Sequence, residues 1–184
     1  AMIAVGKERP GGSRENLRWI AGKAETAPLD GPYGLVTAGA SLHWMAWPDL
    51  MPRLLDVTAD GAVLAVVEHG ERDLPWQAAL NEVIVRHSRN PGYDPDFTVV
   101  DAITAGGHFA ETGRVRTAPV VIRQDVASYV ERFHSTSSLA RENMPAGEAA
   151  DFDREVREVV APWVADGALD LKVVATVVWG RPLA

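Results

Sequence analysis

The stretch LVTAGASLHWMAWPDLMPRLLDVTADGAVLAVVEHG, residues 35–70, decides the fold class. It opens with an apolar run at 35–40, bounded upstream by the turn chemistry of DGPYG at 30–34. A continuous apolar run between turns suits a strand buried on both faces, as in a parallel sheet under helices. WPDLMPRLLDVTAD follows, with Pro48 near a first helical turn and Leu50, Leu54 and Leu55 as an apolar stripe. ADG at 59–61 closes that helix, and AVLAVVEHG at 62–70 reads as a second buried strand of β-branched and small residues. A strand, a helix and a strand joined by short connections imply a parallel pair, and so an α/β sheet.

Upstream, residues 2–9 look helical and PGGS at 10–13 ends them. NLRWIAG at 16–22 alternates like a short strand that stops at Gly22. Downstream, 74–90 has the pattern of an amphipathic helix, 91–97 of a loop and 115–124 of a strand. Two helices follow at 125–143 and 149–166, each opened by Asp or a small residue at the cap, and a final strand at 168–182. There is no internal repeat and no linker rich enough to divide the chain, so a single domain over 1–184 is expected. Within it the chain divides into 1–73, a mainly helical region at 74–167 and a final strand of the sheet at 168–184.

Composition narrows the function. The 184 residues carry a net charge of −7, which speaks against nucleic acid as a partner. There is no cysteine, hence no disulfide, thiolate zinc site or thiol nucleophile. No apolar run is long enough for a bilayer, and AMIAVGKERPGG lacks the layout of a signal peptide. A cytoplasmic protein without a membrane partner is expected. AMIAVGKER also reads like the body of a helix already under way, which points to a further piece upstream.

Familiar catalytic motifs are missing. AGASL around Ser41 is not G-x-S-x-G, and the five histidines stand singly without metal-ligand spacing. Neither G-x-G-x-x-G nor a P-loop occurs. What remains is the set of strand ends, outside which open α/β sheets bind their ligands. The richest of these is 37–44, where small residues lead into Ser41, His43 and Trp44, with Trp47 just beyond. The bland alternative makes the two tryptophans caps on the core and His43 a hydrogen-bonded structural group.

The order GKAETAPL (22–29), YGLVTAGASLHW (33–44) and LLDVTADGAVLAVVEHG (54–70) resembles the class I S-adenosylmethionine-dependent methyltransferases, in particular a small-molecule branch. ERFHSTSSLAREN (131–143) and the ending VVWGRP (177–182) are similar to the same branch. The resemblance implies a Rossmann-like sheet, ordered 3-2-1-4-5-7-6, with a helical insertion on the substrate side after residue 74. It implies S-adenosylmethionine as cofactor and a small molecule as methyl acceptor. By its motifs, Ala24 and Glu25 lie near the adenine, while Thr37, Ala38 and Gly39 form the floor of the cofactor site. His43 becomes the catalytic base, and Trp44, Trp47 and His108 shape the acceptor pocket. No metal is implied.

Lys23 and Gly34 stand where the family has Asp, and the glycine-rich loop and acidic strand end are not among these residues. The chain then matches the C-terminal portion of such an enzyme and supplies strands 3 to 7 only. The edge of the strand at 35–40 is left open, an arrangement prone to self-association. The competing reading is a methyltransferase-fold binding module without catalysis. A nicotinamide dehydrogenase fits less well, because Tyr33, Tyr93 and Tyr129 lack a lysine four residues on.

Overall fold

The computed structural model describes residues 2–184. After α1 (Met2–Glu8) come β1 (Tyr33–Gly39), α2 (Trp47–Val57) and β2 (Thr58–Glu71), with β1 and β2 parallel as the strand, helix, strand pattern requires. The chain continues through α3 (Gln77–His87), α4 (Val99–Ala105), β3 (Phe109–Arg116) and β4 (Val120–Asp125). It ends with α5 (Val126–Glu131), α6 (Glu148–Val160) and β5 (Ala168–Pro182). The strand order is β1-β2-β5-β3, with β4 pairing antiparallel to the first part of β5. The order β1-β2-β5-β3 is the one expected from sequence for the strands numbered 4, 5, 7 and 6.

The chain forms two compact units. The first comprises residues up to 67, 99–114 and 178–184. Its core is the buried face of α2, with Leu54 one helical turn beyond Leu50 and Met51, packed with Leu64, Ile103 and Phe109. Each such side chain contributes about 1.5–3 kcal/mol by leaving water. The second unit comprises 68–98 and 115–177, and its core gathers Trp76, Leu80, Tyr129, Phe152, Val156 and Leu169.

Several sequence expectations change. Residues 16–22 are not a strand, because Trp19 turns away from any sheet. Its indole N–H donates to the Gly12 carbonyl at 2.8 Å, and its ring lies against Gly6 of α1. β1 is not buried on both faces: Val36 and Ala38 face the core, whereas Leu35, Thr37 and Gly39 on the other side of the pleat are exposed. ADG does not close a helix. α2 already ends at Val57, and Ala59, Asp60 and Gly61 lie within β2. Tyr33 is opposite Thr58 and Leu35 opposite Val63, so two steps on β1 meet five on β2, an irregularity that Gly61 accommodates with φ +76°.

The strand expected over 115–124 is two strands, β3 and β4, parted at Thr117, Ala118 and Pro119, where proline offers no N–H to a ladder. The helix expected over 125–143 stops after α5 and continues only as short 3-10 turns at Arg132–Ser135 and Arg141–Asn143. Here Ser135 and Thr136 hydroxyls donate to the Arg132 and Phe133 carbonyls, competing with helical hydrogen bonds. The Asp125 cap forms as expected, its carboxylate accepting from the Ser128 N–H. β5 has the predicted bounds, while α4 and most of β3 were not foreseen.

Candidate functional site

All the residues singled out by sequence lie in the first unit. β1 ends at Gly39; the Ala40 N–H still donates to the Val67 carbonyl at 2.9 Å, and at φ +43° Ala40 then turns the chain out of the strand. One 3-10 turn, Leu42–Trp44, then links the strand to α2. Leu42 is buried and anchors this turn, so His43 and Trp44 are left on its outer side. His43 is exposed and makes no hydrogen bond among the described residues. Trp44 is 71% exposed, its ring 4.9 Å from the His43 ring at a tilt of 48°.

The remaining residues brace this corner. Trp47 packs against the core, and its indole N–H donates to the Leu42 carbonyl at 2.7 Å. The Ala46 N–H, at the start of α2, donates to Glu25 Oε1. That hydrogen bond, aided by the Glu25 backbone and by Lys23, holds the Glu25 carboxyl below the usual carboxylate range. Arg53 of α2 donates to the carbonyls of Ala24, at 2.9 Å, and Ala27. The 24–27 turn is thereby fastened to the start of α2, and Ala24 and Glu25 are brought beside the segment that carries His43 and Trp44. Sequence reasoning missed Arg53, whose partners lie 29 and 26 residues upstream and leave no local pattern.

Thr37 and Gly39 expose their side of β1, and a Cβ built on Gly39 meets nothing within 4 Å. Ala38 is buried and serves the core instead. His108 stands elsewhere in the topology. It follows α4 at the start of β3, and β2 and β5 separate that strand from β1 in the sheet. Its carbonyl accepts from the Leu183 N–H, and its ring lies against Gly106. It makes no ring contact or hydrogen bond with His43, Trp44 or Trp47. Among the described residues no three His, Asp or Glu side chains group as a metal site, and no helix is long and apolar enough to cross a membrane.

No family model matches the chain, and no curated protein matches it. Solved structures do. A "putative type II methyltransferase" from Anaeromyxobacter dehalogenans is 19% identical, with a TM-score of 0.49 over 80% of this chain; the chain spans 63% of that protein's length. The YcgJ protein from Bacillus subtilis is 14% identical, with a TM-score of 0.46, over 97% of this chain and 76% of its own. A "putative methyltransferase" from Bacillus halodurans is 13% identical, over 97% of this chain and 78% of its own, with a TM-score of 0.54. At that identity the last likeness speaks for architecture alone: this chain has a methyltransferase fold.

Proposed function

We propose that the protein transfers a methyl group from S-adenosylmethionine to a small-molecule acceptor at the corner where β1 runs into α2. One observation carries the reading: Glu25, Arg53 and Trp47 brace a turn whose outer side presents His43 and Trp44 with no other structural duty. Rigid support beneath unengaged groups is what a reactive site needs. The residues fit the adenine end of such a cofactor. The open side of β1 at Thr37 and Gly39 admits a flat ring to the backbone, and Glu25 keeps a second carboxylate oxygen free of the Ala46 hydrogen bond.

When bound, S-adenosylmethionine supplies a methyl carbon activated by its sulfonium. The chain's part is to hold the acceptor in line with that carbon. Trp44 offers a ring face that favours a nearby cation. His43 accepts the proton of an acceptor that must lose one, a role for which both of its ring nitrogens are available. Calorimetric titration with S-adenosylmethionine, which keeps the sulfonium charge, tests the proposal. Binding is expected, and Trp44→Ala weakens it about tenfold, or about 1.4 kcal/mol. Absence of binding to the unaltered protein overturns the reading.

A further inference from the structure

The second unit contains a cleft of about 270 Å³ that is independent of the methyl-transfer reading. Its walls include Arg72, Asp73, Trp76, Trp163, Asp170 and Lys172. Arg72 follows the end of β2, and its backbone N–H donates to the Lys172 carbonyl on β5 at 2.9 Å, so two cations stand side by side across the seam. Neither makes an ion pair among the described residues. Asp170 is already engaged by Arg123 of β4 at 3.5 Å, a guanidinium that also reaches Asp166 at 3.6 Å. With that pair set aside, two positive side chains face the single carboxylate of Asp73, in a protein whose net charge is −7. Like charges placed opposite one another across a sheet are destabilising, and an anion between them reverses the sign.

The aromatic wall adds a second requirement. Trp76 is buried and spends its indole N–H on the Tyr129 hydroxyl at 2.9 Å. Trp163 leans on it, with ring centroids 5.4 Å apart, yet remains 41% exposed with no hydrogen bond to its own indole N–H among the described residues. A large ring propped by a buried neighbour and left open on the cleft side is a stacking platform. Asp73 at the rim has φ +56°, a left-handed conformation that a non-glycine residue holds only where its surroundings impose it.

The geometry points to a binding site for a small planar aromatic carboxylate, its ring on Trp163 and its carboxylate between Arg72 and Lys172. The volume lies at the small end for ligand pockets and suits a molecule of one or two fused rings. Saturation-transfer NMR and calorimetry with 1-naphthoate, and with the uncharged 1-naphthamide as its partner probe, test the site. The acid is expected to bind and the amide to bind about tenfold more weakly, the value of one charge-assisted contact. Arg72→Gln and Lys172→Gln each remove an exposed, unpaired charge that the fold does not use, and each lowers naphthoate affinity about tenfold. Trp163→Ala abolishes saturation transfer to the naphthyl protons, and Trp163→Phe, which keeps a ring, restores it. Equal affinity for acid and amide, unchanged affinity in both glutamine variants, or no binding by the unaltered protein overturns the proposal.

Discussion

Glu25 and Ala46 lie 21 residues apart in sequence, and the Ala46 N–H donates to the Glu25 carboxylate at 2.8 Å. The contact holds the entry to α2 against the 24–27 turn, which Arg53 fastens from the same helix. Because the folded state lowers the Glu25 pKa, the contribution is present above the ordinary value of 4.5 and is lost as the pH falls through the lower folded value. Melting temperatures recorded below 4.5 should therefore drop more for the unaltered protein than for Glu25→Gln, while at neutral pH the variant melts lower.

His43 makes the opposite kind of prediction. It is exposed and unbonded, so His43→Ala should leave the melting temperature unchanged. If His43 serves as base, turnover with a proton-bearing acceptor falls about 10²–10⁴-fold. Loss of stability with turnover retained would return the residue to a purely structural role.

In the second unit, Asp153 of α6 accepts from His134 Nε2 at 2.7 Å and from Arg141 at 3.1 Å. Burial pushes the Asp153 carboxyl up, but these two hydrogen bonds together with the charges of Arg141 and His134 outweigh it and hold the pKa below the usual range. Asp153→Asn should cost about 2–3 kcal/mol in denaturant titration at neutral pH, the range for hydrogen bonds to charged groups. The stabilisation is present above the unfolded carboxyl value and vanishes as the pH falls through the folded one, so the two proteins should converge in acid.

Tyr129→Phe leaves the buried Trp76 indole N–H without its acceptor, at a cost of about 1–3 kcal/mol. Burial raises the Tyr129 pKa, opposed by the Trp76 hydrogen bond and the nearby Arg132 charge. A raised value means the contribution is complete below 10.0 and lost as the pH rises through the folded value. The alkaline fall in stability should be shallower in the variant.

Gly180 and Gly39 form a matched pair for substitution. A Cβ on Gly180 overlaps the Ala110 carbonyl oxygen, a backbone atom that cannot rotate away, so Gly180→Ala should cost about 2 kcal/mol. A Cβ on Gly39 meets open space, so Gly39→Ala should shift stability by less than about 0.5 kcal/mol. If the cofactor approaches β1 there, the same change weakens S-adenosylhomocysteine binding.

Patterns of period and punctuation carried much of the fold. The parallel pair β1 and β2, the Pro48 start of α2, the Asp125 cap and the whole of β5 were legible because each depends on residues close together in sequence. Trp19 defeated the same reasoning, since its preference for Gly6 and Gly12 is a tertiary choice that alternation does not reveal. So did Ser135 and Thr136, whose side chains end a helix that the apolar spacing alone continues. At the candidate site, sequence located His43 and Trp44 at a strand mouth. The braces beneath them, Arg53 above all, became visible only with contacts spanning 20 to 30 residues.

The segmental make-up of the two units bears on how the chain is made. Every segment of the second unit lies between residues 68 and 177, whereas the first unit recruits residues 178–184, including the core residue Val178 and the Gly180 seam. During synthesis the second unit has all of its segments before the first has its last one. Removing residues 178–184 should therefore strip Val178 and Gly180 from the first unit while leaving every segment of the second in place.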